Sequence, residues 1–527
     1  MIQNKKVLLI CKESFSFPLG FIAKDLIKSG NSVGAFFINP IESYQNKSLF
    51  NENTFYHFKE NLKQVNLFGL QDLCLKFDES LSNRTINMSK LYEIEKEYTH
   101  FKNLNLQATS SQLLTRHFHT RDYFSYSSFE KSLKFIELGY SKVLDVIDEF
   151  KPDVILDLDD SELLRTIIVE VAFKKSIPYI TLNYPRYEEY KIPTFNLGLE
   201  PENYFIEKYN HFLKEDQTCL KIEYEYIFGF RKKSKIMSDE FKGTTTSQYK
   251  PNGILDTMKL LIGKFLYFWN VSIKNGNYKL YKKKSILYSN SIRHFLFYVR
   301  VEIKKQILLR KNKYFIIPDK KDMYVYMPLH LIPESTTFVK APFYIDELHI
   351  IAQISKSLPI GWILYVKEHQ SMLGERSFEF YKKVKQFPNV KLVQINYYDD
   401  PKPWIENAQG VITIAGTAAY EAALLGKTSI LFSGVPFSLI KGITRTDSFE
   451  DLPKLIAKFG TIDNIKSCAA YIATVKFVGS KINLKYLMAE SEAILKGEKN
   501  DTEEFQSKID ELMKFFDKAL KQYEINK

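Results

Sequence analysis

Cysteine is scarce in this chain: four occur in 527 residues, Cys11, Cys74, Cys219 and Cys468, far apart and never as a CxxC pair. That argues against a disulfide framework and against a structural zinc site, and it suits a reducing compartment. A Gly-x-Gly-x-x-Gly phosphate loop is also missing. No dinucleotide is therefore implied, and no cofactor or metal is expected. No run of about 18 uninterrupted apolar residues occurs. The best stretch, Ile254 to Ile273, is broken by Asp256, Lys259 and Lys264. The N-terminus lacks a signal-peptide pattern, because Lys5-Lys6 lead only into Val7 to Ile10 before Cys11, Lys12 and Glu13. The expectation is a cytoplasmic protein.

What is present describes a globular chain. Hydrophobic residues make up 45% and aromatics 15%, ample for the two or three domains that this length suggests. The pattern predicts an α/β protein in four parts: an N-terminal α/β domain over 1–200, a basic helical linker or insertion over 201–320, a second α/β domain over 321–480, and C-terminal helices over 481–527.

The stretch Gly410 to Phe432, GVITIAGTAAYEAALLGKTSILF, is the clearest unit. Val411 to Ala415 has strand length, Gly416-Thr417 break it, and Ala418 to Leu425 is rich in helix formers. Gly426 ends the helix, and Thr428 to Phe432 is a second strand. This is a strand–turn–helix–strand unit of a parallel sheet. The turn at Gly416, Thr417 and Ala418 opens on a helix N-terminus, which favours an anion such as a diester or pyrophosphate. With Thr417 as N-cap, Glu421 falls one place past the capping-box position. It either faces a ligand and accepts hydrogen bonds from ribose hydroxyls or is a solvated helix acid. Spacing alone leaves both open.

In the N-terminal region, Val7 to Ile10 and Ser32 to Ile38 are strands, with a loop over Glu13–Gly20 and a helix over Phe21–Ser29 between them. Residues 40–130 resist parsing. They include Arg116-His117-Phe118-His119-Thr120-Arg121-Asp122, two His flanked by two Arg that suit an anionic acceptor. From Glu130 the pattern clears: a helix to Phe150, a strand over Val154–Leu158, a helix over Leu163–Lys175 and a strand over Ile177–Leu182. Ligands in open α/β sheets bind beyond the carboxyl ends of strands. Asp159, Asp160 and Glu162 sit at such an end. Capping of the helix by Asp160 or Ser161 would explain one acid, not three. Arg165, one turn on, is a further polar candidate for substrate binding. The Asp157-x-Asp159 pair mimics a metal-binding DxD but is set aside, since Asp157 falls within the predicted strand.

Between Arg231 and Lys313, 20 Lys/Arg stand against 4 Asp/Glu, a balance of +16 in a chain of net +12. Aromatics such as Phe265, Trp269, Tyr281 and Phe295 interleave with the charge. Basic aromatic helices suit an anionic membrane surface. A nucleic-acid partner has no supporting motif, and a solvated helical linker is the plain alternative.

From Tyr324 strands return, over Tyr324–Met327, Trp362–Val366 and Val390–Val393, with helices over Phe343–Lys356 and Pro401–Asn407. The ends at 328–330, 367–370 and 416–417 are expected to line one crevice. There Lys367 and His369 neutralise a phosphate, and His330 does the same or moves a proton.

The order PLHLIPESTT (328–337), Tyr365-Val366-Lys367-Glu368-His369, and GTAAYEAALLGK (416–427) followed by Gly434-Val435-Pro436-Phe437 resembles the bacterial capsule polysaccharide biosynthesis family. The family includes retaining β-Kdo transferases that use CMP-Kdo. The likeness covers about residues 285 to 456, with an echo over Glu130–Tyr184. It implies a GT-B fold, two Rossmann-like domains facing across a cleft, with the nucleotide held mainly by the C-terminal one and no required metal. On that resemblance Lys367 and His369 match a donor-phosphate motif, and Thr417 with Glu421 matches the nucleotide-binding segment. Glu334 lies in the first matching segment and joins the substrate-binding candidates. Gln370 replaces the family's usual proline, which leaves the shape of the following loop open.

The sequence thus points to a membrane-associated glycosyltransferase on the inner face of the cytoplasmic membrane, transferring Kdo from CMP-Kdo to a lipid-linked or glycan acceptor. Asp160 or Asp159 is the expected nucleophile, with Glu162 or His330 as acid/base. The expected partners are a nucleotide-sugar, the acceptor, anionic lipid and capsule-assembly proteins, with no nucleic acid. A sugar-nucleotide epimerase, a polyol-phosphate transferase or a non-catalytic capsule-assembly scaffold are the alternatives.

Overall fold

A computed structural model describes residues 2–38, 54–80, 86–109, 111, 128–237, 253–269, 291–311, 313–393, 398 and 400–525. The histidine–arginine cluster at 116–122 lies outside them.

Two sheets carry the molecule. The first runs through β1 (Lys6–Cys11), β2 (Ser32–Phe37), β3 (Asn66–Phe68), β4 (Val154–Leu156), β5 (Tyr179–Asn183) and β6 (Tyr190–Thr194). The second holds β7 (Met323–Pro328), β8 (Trp362–Lys367), β9 (Val390–Val393), β10 (Gly410–Thr413), β11 (Ser429–Leu431) and β12 (Ile443–Arg445). A two-residue strand, β13 (Ser480–Lys481), returns to the first sheet and pairs with β6. The orders are β13-β6-β5-β4-β1-β2-β3 and β12-β11-β10-β7-β8-β9. Every pair of the second sheet is parallel, and in the first only β6 runs against its neighbours. Each sheet therefore has the doubly wound order, reversing between β1 and β4 and between β7 and β10. The carboxyl ends at those reversals are where such sheets hold ligands. This is the expected α/β, GT-B-like architecture of two Rossmann-like halves.

Both faces of the first sheet are covered at its centre, so β1, β2 and β4 are almost wholly buried. In β1, Val7, Leu9 and Cys11 join one core and Leu8 and Ile10 the other, with the period of two that a strand imposes. One face packs on the helices Phe129–Phe150 and Leu163–Lys174. The other packs on the helix Ser16–Lys28 and on the C-terminal helices Leu484–Leu495 and Glu503–Ile525. Phe505, Ile509, Leu512, Phe516 and Leu520 form the buried stripe of the last helix. The C-terminal tail thus closes the N-terminal half.

Several local expectations change. Residues 16–20 are helix, not loop, because Pro18 lies in the first turn, where its missing N–H costs no bond. β6 and β13 were not anticipated; β13 is too short to carry a period. The 201–320 segment divides. Helices Asn203–Phe212 and Lys221–Lys232 belong to the core of the second half, where Phe205, Tyr209, Ile227 and Phe230 pack with Val325, Ala419 and Tyr471. The helix Ile254–Phe268 stands outside it, whereas the helix Ser291–Lys311 reaches it through Leu308.

Candidate functional site

At the second reversal point, β7 ends in His330, β8 in Lys367-Glu368-His369, and β10 in Thr413, followed by Gly416 and the helix Ala418–Leu424. The three strand ends expected to line one crevice are therefore neighbours at one edge of the sheet. Beneath it lies a buried charged network. Glu347, on the helix Glu347–Ser357, accepts the His330 backbone N–H at 2.6 Å and lies 3.3 Å from its Nδ1. Arg376 pairs with Glu347 at 2.5 Å and with Glu368 at 2.9 Å, and donates to the His330 carbonyl at 2.9 Å. Tyr381 Oη donates to Glu368 at 2.7 Å.

His330 is fully engaged. The Gly416 N–H donates to Thr413 Oγ1 at 3.2 Å, leaving the Thr413 hydroxyl to donate to His330 Nε2 at 3.0 Å. Nδ1 then carries the proton toward Glu347, a tautomer assigned from this network. His330 is buried; its Nε2 braces the Gly416 turn through Thr413, and its Nδ1 faces Glu347. The expected proton-transfer role has no free nitrogen to use. A Cβ on Gly416 would collide with Thr413 and sit 3.3 Å from His330 Nε2, so that turn requires glycine.

Lys367, His369 and Glu421 carry the site's electrostatics. Burial, opposed by Glu368 and Glu421, brings the Lys367 ammonium down to about 8. His369 is lowered to about 4 by burial and then by His330, Lys367 and Arg376. It is therefore neutral at pH 7 and supplies a hydrogen bond rather than the expected charge. Its Nδ1 accepts the Ser371 N–H at 3.2 Å, which puts the ring proton on Nε2. Gln370 opens the short 3-10 turn Gln370–Met372, a first position that also suits the proline it replaces. Glu421 is raised to about 7, by burial and then Asp400, against the pull of Arg186 and Lys367. Its carboxylate makes no hydrogen bond or ion pair among the described residues, so it is not merely a helix-end acid with a local partner. Thr417 forms no side-chain cap and has helical backbone angles. Glu334 caps the short helix Ser335–Phe338 with its backbone carbonyl, accepting from Phe338 N at 2.9 Å.

The N-terminal wall sorts the acids. Arg165 is 0% exposed and grips Asp157 at 2.7 and 3.0 Å and Asp159 at 2.8 Å. Burial alone would lower its pKa; the two carboxylates outweigh burial and hold it well above the ordinary value. The substrate-binding role expected of Arg165 is thus replaced by a structural one. Tyr179 Oη also donates to Asp157, at 2.8 Å, and Ser161 Oγ donates to Asp159 at 2.5 Å. Asp160 pairs with Lys340 of the second half at 2.7 Å. Neither Asp160 nor Ser161 caps the helix. The N-cap is Glu162, whose side chain makes no cap bond and whose φ is +94°, a region non-glycine residues rarely adopt. Of the three expected acids, only the Glu162 carboxylate has no hydrogen bond or ion pair among the described residues.

Sequence reasoning passed over Arg186. It lies on the loop after β5, at φ +68°, with its guanidinium 5.9 Å from the Tyr184 ring and no hydrogen bond or ion pair among the described residues. Tyr471 Oη donates to the neighbouring Pro185 carbonyl at 2.8 Å and holds that loop against the second half. A lone arginine between tyrosines has no motif. The available signal was its place just beyond a strand's carboxyl end.

No family model matches this chain, and no curated protein does. Among solved structures, the Thermosulfurimonas dismutans KpsC β-Kdo 2,7 transferase aligns at 9% identity over 66% of this chain and 88% of its own, with a TM-score of 0.35. The β-Kdo 2,4 transferase of the same KpsC aligns at 10% identity over 65% and 87%, with a TM-score of 0.32. The UDP-GlcNAc 2-epimerase of Methanocaldococcus jannaschii aligns at 13% over 90% and 99%, with a TM-score of 0.23. Likenesses this faint place the chain in no family.

Proposed function

We propose that this protein is a nucleotide-sugar-dependent glycosyltransferase of surface polysaccharide synthesis, working at the inner face of the cytoplasmic membrane. The donor is CMP-Kdo and the acceptor a lipid-linked or glycan hydroxyl. One observation carries the reading: Glu421, whose carboxylate has no hydrogen bond or ion pair among the described residues, stands in the field of Lys367, at the end of β8, and of Arg186, beyond β5. Lys367 and the His369 Nε2–H suit the donor phosphate, and Glu421 suits the ribose hydroxyls. Arg186 adds a second cation on the opposite wall, fitted to a phosphate or to the carboxylate of an acid sugar.

Retention by double displacement requires a carboxylate that attacks the anomeric carbon while the phosphate oxygen leaves with the bonding pair. The acceptor hydroxyl then displaces that carboxylate and gives up its proton to a base. Glu162, whose carboxylate has no partner among the described residues, suits the first step, whereas Asp159 and Asp160 are committed to ion pairs. Ligand binding raises native stability by RT ln(1 + [L]/Kd), about 2.7 kcal/mol at a hundredfold excess over Kd. Melting scans against CMP, CDP, UMP, UDP and GDP therefore test the reading. CMP should stabilise most, and Glu421→Ala should lose the response while keeping its unliganded melting point. A preference for UDP would favour hexose transfer or epimerisation, and CDP polyol-phosphate transfer. No response to any nucleotide would remove the enzyme reading in favour of a scaffold.

A further inference from the structure

The helix Ile254–Phe268 poses a physical problem. It is apolar, yet it lies on the surface. Leu255, Met258, Ile262, Leu266 and Trp269 are 74%, 54%, 55%, 53% and 48% exposed. Their spacing of three and four residues makes one continuous outer stripe. The opposite side, with Thr257, Leu261 and Lys264, is half-buried and turned to the helix Ser291–Lys311. There Phe265 packs edge-on against Phe295 at 5.5 Å, and Lys264 lies 4.4 Å from the Tyr298 ring. The second helix repeats the pattern. Ile292, Leu296, Ile303 and Ile307 are 41–66% exposed along one face, with the exposed Arg293, Arg300 and Arg310 beside them. Contiguous apolar surface of this kind is normally covered.

We infer that this helix pair is the docking surface for an anionic bilayer, lying in the plane of the interface. Length decides against a span: 15 residues make a helix of about 22 Å, short of the roughly 30 Å hydrocarbon core. No described helix is long and apolar enough to cross a membrane. Charge decides the kind of cover. The window around these helices carries +16, and the rest of the chain 12 − 16 = −4. A second copy would set two such windows face to face. A nucleic acid would satisfy the charge and leave the stripe in water. Anionic lipid covers both, with leucine, isoleucine and tryptophan at the acyl boundary and the long basic side chains reaching the head groups.

The second helix is not a loose appendage. Leu308 belongs to the core of the C-terminal half. Gly374, at φ +90° in the loop between His369 and Arg376, packs on the Val301 carbonyl, with Lys305 Cβ 3.1 Å from where a Cβ would stand. The docked pair therefore rests on the loop that carries the phosphate-binding His369. The inference deepens the glycosyltransferase reading by naming the surface that brings a lipid-linked acceptor to the cleft. Its test does not use sugar transfer.

The full chain is mixed with vesicles of phosphatidylcholine, alone or with phosphatidylglycerol, and sedimented. Binding should be at least about tenfold tighter to the mixed vesicles and should fall with salt. Trp269 emission should shift to the blue on binding, a change absent in Trp269→Phe. The triple variant Leu255→Ser/Ile262→Ser/Leu266→Ser removes only exposed side chains, so its melting point should hold and its nucleotide response should match the wild type. Its vesicle binding should drop about tenfold or more. Undiminished binding of that variant, or no wild-type binding to either vesicle, overturns the inference. So does a wild-type dimer that the triple variant abolishes, because the cover would then be a second copy.

Discussion

Asp160 Oδ2 lies 2.7 Å from Lys340 Nζ, joining the end of the first sheet to the second half through side chains only 7% and 6% exposed. Asn183 Oδ1 accepts a further bond from the same ammonium at 3.3 Å. A carboxylate tied in this way holds two halves together before it can attack anything.

Asp160→Asn should therefore act on stability. Removing one partner of a buried pair strands the other, a loss of about 3–5 kcal/mol. Denaturant unfolding of Asp160→Asn, of Lys340→Met and of the double variant measures it. The double variant should recover part of the loss, since neither charge is then stranded. Equal stability of Asp160→Asn and the wild type would show the pair to be idle.

Arg165→Leu should be costlier still, because it leaves both Asp157 and Asp159 without their cation. The expected loss again exceeds about 3 kcal/mol, with poor soluble yield as its first sign. Wild-type stability in Arg165→Leu would contradict the buried network.

Glu162→Gln is the complementary case. Its carboxyl has no partner to lose among the described residues, so stability should stay within about 0.5 kcal/mol. Transfer from the nucleotide-sugar, measured by release of the nucleotide, should fall by a hundredfold or more, the scale on which positioned acid–base groups act. Near-normal turnover with intact folding would place the attacking group elsewhere.

The pH dependence follows from two opposed groups. Glu421 rises from 4.5 to about 7 on folding, so the native state binds its proton more tightly and the group's contribution to stability declines as pH climbs from 4.5 through 7. Lys367 falls from 10.5 to about 8, so its contribution improves as pH climbs from 8 to 10.5. A nucleotide needs Glu421 ionised and Lys367 charged. Calorimetric affinity should therefore peak between about 7 and 8, with macroscopic limbs belonging to the site as a whole. Glu421→Gln should remove the rising limb and Lys367→Arg the falling one. A flat profile in the wild type counts against both assignments.

Arg186→Gln tests the residue the motifs did not reveal. Its ring contact is worth about 0.5–1 kcal/mol, so the fold should persist. Removing its field should move the rising limb to higher pH, because Arg186 holds Glu421 down. Nucleotide binding should weaken together with that shift. An unmoved limb would separate the two residues.

The sequence by itself determined the two α/β halves, the strand ends that meet at Lys367, His369 and Gly416, and the basic character of the 231–313 window. These are local properties. Strand-length apolar runs, glycine breaks and charge counts are written in consecutive residues, and a doubly wound sheet brings successive strand ends to one edge. Only the tertiary structure decided which charged groups are free. Asp159, Asp160 and Glu162 look alike in sequence, yet residues 165 and 340 take the first two and leave the third. His330 looks like a site histidine until Glu347 and Thr413 occupy its ring. His369 looks like a cation until burial and its charged neighbours Lys367 and Arg376 hold it neutral. The ionisation and availability of a side chain depend on desolvation and on partners distant in the chain, and neither has a period that a sequence can show.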